Sequence, residues 1–85
     1  MKLYCISQNE NTGYDTYDSA VVCALDAETA RNMDPGDGRP IDWSNHTDRM
    51  YRGWCYKPEH VCVWCIGTAA KDVKQGVICA SFNAG

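Results

Sequence analysis

Polar and apolar residues alternate from the start of the chain. Over residues 2–8, Leu3, Cys5 and Ser7 fall on one side and Tyr4 and Ile6 on the other, the period-two pattern of a β-strand. Asn9, Glu10, Asn11, Thr12 and Gly13 form a turn cluster, with Gly13 free to take a positive φ. Residues 14–25 give a second strand, strongest over residues 19–24, and the two predict an antiparallel hairpin with a long tip. Asp26 then fits the N-cap of a short helix, with Glu28 adding favourable charge in its first turn. Ala27, Ala30 and Met33 make a narrow apolar stripe at helical spacing, and Asp34-Pro35 ends it. A helix this short lacks independent stability and must lean on a sheet.

Residues 61–67 read as a third strand, with Val61, Val63 and Cys65 facing one way and Cys62, Trp64 and Ile66 the other. Both faces are apolar, which predicts a central strand. Residues 68–75 are polar enough for a loop or single helical turn, and Gly76 opens a last strand over residues 77–83. The expected fold is a single α+β domain over residues 1–85. Its four-stranded, mainly antiparallel sheet follows the chain order β-β-α-long loop-β-β, carries one helix, and is built from two hairpin-like halves.

The long connection over residues 34–60 changes the picture from fold to function. It begins with a Pro- and Gly-broken run and continues into a segment dense in aromatic and cationic side chains: Arg39, Trp43, His46, Arg49, Tyr51, Arg52, Trp54 and Tyr56. Loops of this length in small domains more often carry function than not. Trp and Tyr offer flat faces for a base or a partner, and Arg offers a planar fork for phosphate or carboxylate. The same residue types dominate protein–protein hot spots. The plainer reading is a lid, in which Ile41, Trp43 and Trp54 fold back to enlarge a small core. In the first hairpin, Thr16 and Asp18 are expected on one face and Asp15 and Tyr17 on the other. The acids there mark either a solvated side or the rim of a binding site.

Composition removes some classes of function. Eight Lys and Arg against eleven Asp and Glu give a net charge of −3, with no basic stripe of the kind that holds nucleic acid. The four apolar residues after Lys2 are too few for a signal-peptide core, and no stretch reaches the length of a membrane span, so the expected location is cytoplasmic. An 85-residue chain buries only roughly 60–65% of its unfolded surface, and the apolar faces of residues 61–67 and of Ile78, Ala80 and Phe82 exceed what one short helix covers. A homodimer is therefore expected.

Six cysteines without an export signal read as reduced thiols. Cys5, Cys23, Cys62, Cys65 and Cys79 have apolar neighbours and are expected in the core. Cys62 and Cys65 form a C-x-x-C, and with Cys55 and His60 they make the alternative of a small metal or redox protein. Residues three apart in a strand point to opposite faces, which weighs against both thiolates reaching one ion. Cys55 beside His60 or His46 is the nearest approach to a nucleophilic pair, and the histidines otherwise read as surface residues. No cofactor is expected.

The opening MKLYCISQ (residues 1–8), the run GYDTYDSAVV (13–22) and the ending GVICASFNAG (76–85) resemble a family of small phage and prophage proteins. Nearly the whole chain takes part, and the SFNAG ending is the most specific element. The resemblance implies a protein made inside an infected bacterium. Accessory proteins of this kind often disarm host defences by binding an effector or sequestering a nucleotide signal. The expectation is accordingly a non-enzymatic binding protein, its partner a host protein or a small nucleotide-like anion, held by Arg39, Trp43, His46, Arg49, Tyr51, Arg52, Trp54 and Tyr56.

Overall fold

A computed structural model describes residues 1–44 and 53–84. Four strands, β1 (Lys2–Ser7), β2 (Thr16–Ala24), β3 (Cys62–Thr68) and β4 (Gly76–Asn83), form one open sheet in the order β3-β1-β2-β4. Every neighbouring pair is antiparallel. A short helix, α1 (Ala27–Arg31), packs on the sheet, and a single 3-10 turn (Pro58–His60) leads into β3. The four-stranded antiparallel sheet with one short helix matches the expected class.

The order of the strands does not follow the expectation. β3 is an outer strand, β1 takes the central place, and β3 and β4 lie at opposite edges instead of pairing as a second hairpin. Residues 69–75 cross the end of the sheet to join them, held by Ala69 N–H donating to the Met1 carbonyl at 3.1 Å. Alternation reports which residues share a face, but it is silent on which strand lies alongside. β3 is apolar on both sides because its inner face meets the core while its outer face belongs to a sheet surface that the described chain covers only at one end, where residues 69–75 cross over Cys23.

The core lies on one face only. Tyr4 and Ile6 of β1 and Ala20, Val22 and Ala24 of β2 pack with Ala30 and Met33 beneath α1, and with Trp54, Cys55 and Val61 from the segment returning to β3. Asp26 caps the helix as expected: its Oδ1 accepts the Thr29 N–H at 2.8 Å, and hydrogen bonding from Thr29, its backbone first and then its side chain, holds the carboxyl below the ordinary range. The helix is shorter than its apolar stripe, and Ala27 is exposed while Ala30 is fully buried. Arg31 contributes what propensity does not, donating through one guanidinium nitrogen to the carbonyls of Pro58 (3.0 Å) and Val61 (2.7 Å). The helix is thereby tied to the entry of β3.

The thiols divide differently from expectation. Cys23 and Cys55 are buried and Cys5 is half-buried, but Cys62, Cys65 and Cys79 are exposed because they sit on outer strands. The hairpin parity is also broken. Asp18 is an extra residue between the Tyr17–Phe82 and Ser19–Ser81 pairs, so Thr16 is buried, Asp18 is exposed, and Tyr17 turns toward the core. No helix among the described residues is long and apolar enough to cross a membrane.

Candidate functional site

The hairpin tip is a built structure. Gln8 is buried at the end of β1, and its amide is fully used. Oε1 accepts the N–H groups of Glu10 (2.9 Å) and Asn11 (2.8 Å), while Nε2 donates to the carbonyls of Asn11 (2.7 Å) and Tyr17 (2.8 Å). The left-handed conformation falls on Asp15 (φ 59°) and not on Gly13. Asp residues tolerate this region because the short polar side chain bonds locally. The Gly13 carbonyl instead accepts from Thr16 Oγ1 at 2.6 Å and from Asn83 Nδ2 at 3.1 Å, which ties the tip to the end of β4.

The returning arm of the long connection is stitched onto this tip. The Gly53 carbonyl accepts the Tyr17 N–H at 2.9 Å, and the Trp54 carbonyl accepts Asn11 Nδ2 at 3.3 Å. Gly53 has φ +65°, and a Cβ there would overlap the Asp15 carbonyl oxygen and sit 2.8 Å from Thr16 Cα. Only glycine fits so close an approach of two backbones. Glu10 closes the junction: its carboxylate accepts the Tyr56 N–H at 2.8 Å and meets His60 Nδ1 at 3.0 Å. The Tyr56 amide first, and then His60, hold the Glu10 carboxyl below its usual range.

This junction separates the residues read as one set from sequence. Trp54 is 1% exposed and lies in the core, where its indole N–H has no hydrogen-bond partner among the described residues. It is a packing residue and not a contact residue. Trp43 is half-buried, packs on the core with Ile41, and donates its indole N–H to Asn32 Oδ1 at 2.8 Å. Arg39 and Tyr56 are exposed. His46, Arg49, Tyr51 and Arg52 lie outside the described residues. Tyr14, which heads the acidic patch of the first hairpin in the sequence and was expected inside its second strand, lies before β2 and is exposed at 78% on the same hairpin tip. Exposed aromatic rings on a fixed turn are its distinguishing signal, and that needs the fold.

The opening run of the connection is compact. Asp34 is buried, and its Oδ1 accepts the Gly36 N–H at 2.7 Å; the Gly38 N–H returns to the Asp34 carbonyl at 2.9 Å, and Met33 bridges to Pro40. A cavity of about 240 Å³ beside it is lined by Thr29, Asn32, Met33, Gly38, Pro40 and Gln75, with neither a cation nor an aromatic ring in its walls. Cys62 is paired opposite Ser7 and Cys65 opposite Tyr4, so the two thiols leave opposite faces of the sheet. Burial first, and the Glu10 charge second, push the Cys55 thiol up to about 11, which keeps it protonated at neutral pH. Among the described residues no group of three His, Cys, Asp or Glu side chains converges as a metal site would require. No family model, curated protein or solved structure matches this chain.

Proposed function

We propose that the protein acts by binding, without chemistry of its own, and that its hairpin-tip end is the surface it presents to a partner protein. In the phage setting that the sequence resemblance suggests, the partner is a host protein, in the host cytoplasm, whose defence role is blocked by being covered. One observation carries this reading. The exposed rings of Tyr14 and Tyr56 stand on a junction fixed by Gln8, Glu10 and Gly53. That junction also anchors the return of the segment containing His46, Arg49, Tyr51 and Arg52. Aromatic anchors held on a fixed junction lose little entropy on binding and are the usual carriers of interface energy.

The cavity beside α1 has neither the ring nor the cation that would hold a base and a phosphate, so a nucleotide-sequestering role would not use it. The test is capture from host lysate by the tagged protein, alongside Tyr56→Ala and Arg49→Ala/Arg52→Ala variants with unchanged melting temperature. The reading requires a defined host protein held by the unmodified chain and lost, at least tenfold, from both variants. A nucleotide-dependent rise in melting temperature that disappears in Arg52→Ala would replace protein binding with ligand capture.

A further inference from the structure

We propose that the uncovered face of the sheet is a self-association surface on which a second copy of this chain packs face to face, with Trp64 as the anchor. The strand register places the residues of this face in rows. Trp64, Cys5, Val21 and Cys79 lie opposite one another across β3, β1, β2 and β4, and Cys62, Ser7, Ser19 and Ser81 form the next row toward the hairpin tip. At the other end, Cys23 is buried under the connection between β3 and β4, its thiol 3.9 Å from the Val73 carbonyl. That connection, which contains the exposed Lys71, Asp72 and Lys74, bounds the surface.

Relief and charge together point to a second copy as the occupant. Trp64 is 74% exposed and stands at the β3 margin of the face. At the β4 margin lies a shallow hollow of about 200 Å³, lined by Ser19, Ala20, Val21, Cys79, Ala80 and Ser81. The hollow opens on this face because its flanking pairs, Ser19–Ser81 and Val21–Cys79, belong to these rows, while Ala20 belongs to the core. The projecting ring and the hollow therefore occupy opposite margins at nearly the same level of the register. A two-fold axis running along the strands, between β1 and β2, seats each indole in the other copy's hollow at once. Such an isologous contact needs a surface that complements itself.

The charge pattern allows this contact. The two rows themselves carry no charged side chain; the nearest charge is Asp18 at the hairpin-tip edge of the hollow, where its carboxylate accepts from Ser81 Oγ at 3.4 Å, so the one acid of this face lies at the rim of the contact and not under the indole. The small side chains around Trp64 leave room for a second sheet at the usual layer spacing of about 10 Å. The contact uses none of Tyr14, Tyr56 or the connection to Gly53, so it stands or falls apart from the proposed function.

Sedimentation equilibrium at micromolar to high micromolar concentration tests the proposal on the full chain. The expected result is twice the chain mass for the unmodified protein, and the chain mass for Trp64→Glu and for Ser81→Arg, which places a charge in the hollow. Both variants are expected to keep their far-UV circular dichroism, since Trp64 and Ser81 are exposed. In parallel, Cys79 is expected to react with a thiol reagent at least tenfold faster in Trp64→Glu than in the unmodified protein. An unmodified chain that stays monomeric, with or without a foreign protein bound on this face, overturns the proposal. So does a dimer that survives Trp64→Glu, or a Cys79 rate that the substitution leaves unchanged.

Discussion

Gly53 and Glu10 do different work at the same junction, and each makes its own prediction. At Gly53 a methyl group meets backbone on two sides in a left-handed conformation, so Gly53→Ala is expected to destabilise the fold by about 2–4 kcal/mol in urea titration. Gly13→Ala is the control, because nothing lies within 4 Å of the position a Cβ would take. Glu10 acts through charge. Its folded carboxyl lies below the ordinary value of 4.5, so the stability it contributes is complete above that value and is lost as pH falls through the lower, folded one. Glu10→Gln is expected to flatten the acid limb of a melting-temperature profile below pH about 4.5 and to change its shape little at neutral pH. The neighbouring Trp54 shows what composition conceals. An indole in an aromatic and cationic run reads equally as anchor or core, and only the approach of Gly53 to Asp15 places it inside.

Helix α1 is too short to hold itself, and its stability comes from what its two ends touch. Asp26 secures one end, and at the other Arg31 bridges to the carbonyls of Pro58 and Val61. Charged hydrogen bonds of this kind support a prediction that Arg31→Ala costs about 1.5–3 kcal/mol, with Arg31→Lys recovering part of it because a lysine lacks the planar fork. Urea unfolding followed by circular dichroism would measure both. All four strands and the helix were legible in the sequence, because period-two alternation and the Asp26 cap are local signals. The neighbour relations were not. Nothing in residues 61–67 distinguishes a strand flanked on both sides from one whose second face is simply left open. The bulge at Asp18 likewise reverses the faces of Thr16 and Tyr17 without any local mark, since it arises from pairing with β4.

For the molecule as a whole, a core on one side of an open sheet sorts the cysteines by layer and edge. Cys65, on an outer strand, is expected to react rapidly with a thiol reagent, whereas Cys23 and Cys55 react only as fast as the protein unfolds; peptide mapping after brief labelling would resolve them. The candidate site was legible only in part, because the long connection and the patch beginning at Tyr14 announced themselves by composition, while the exposed place of Tyr14 on the turn depends on how the tip folds. The edges carry a further consequence. β3 and β4 hold no charged residue, and unprotected borders of that kind invite other chains to add on. Each is interrupted by an isoleucine with no partner in the ladder: Ile66 between Cys65 and Gly67, and Ile78 between Val77 and Cys79. An extra residue bends and twists the strand that carries it and so spoils the flat template that an amyloid zipper requires; these irregularities, which would otherwise pass for flaws, stand where other proteins place a charge.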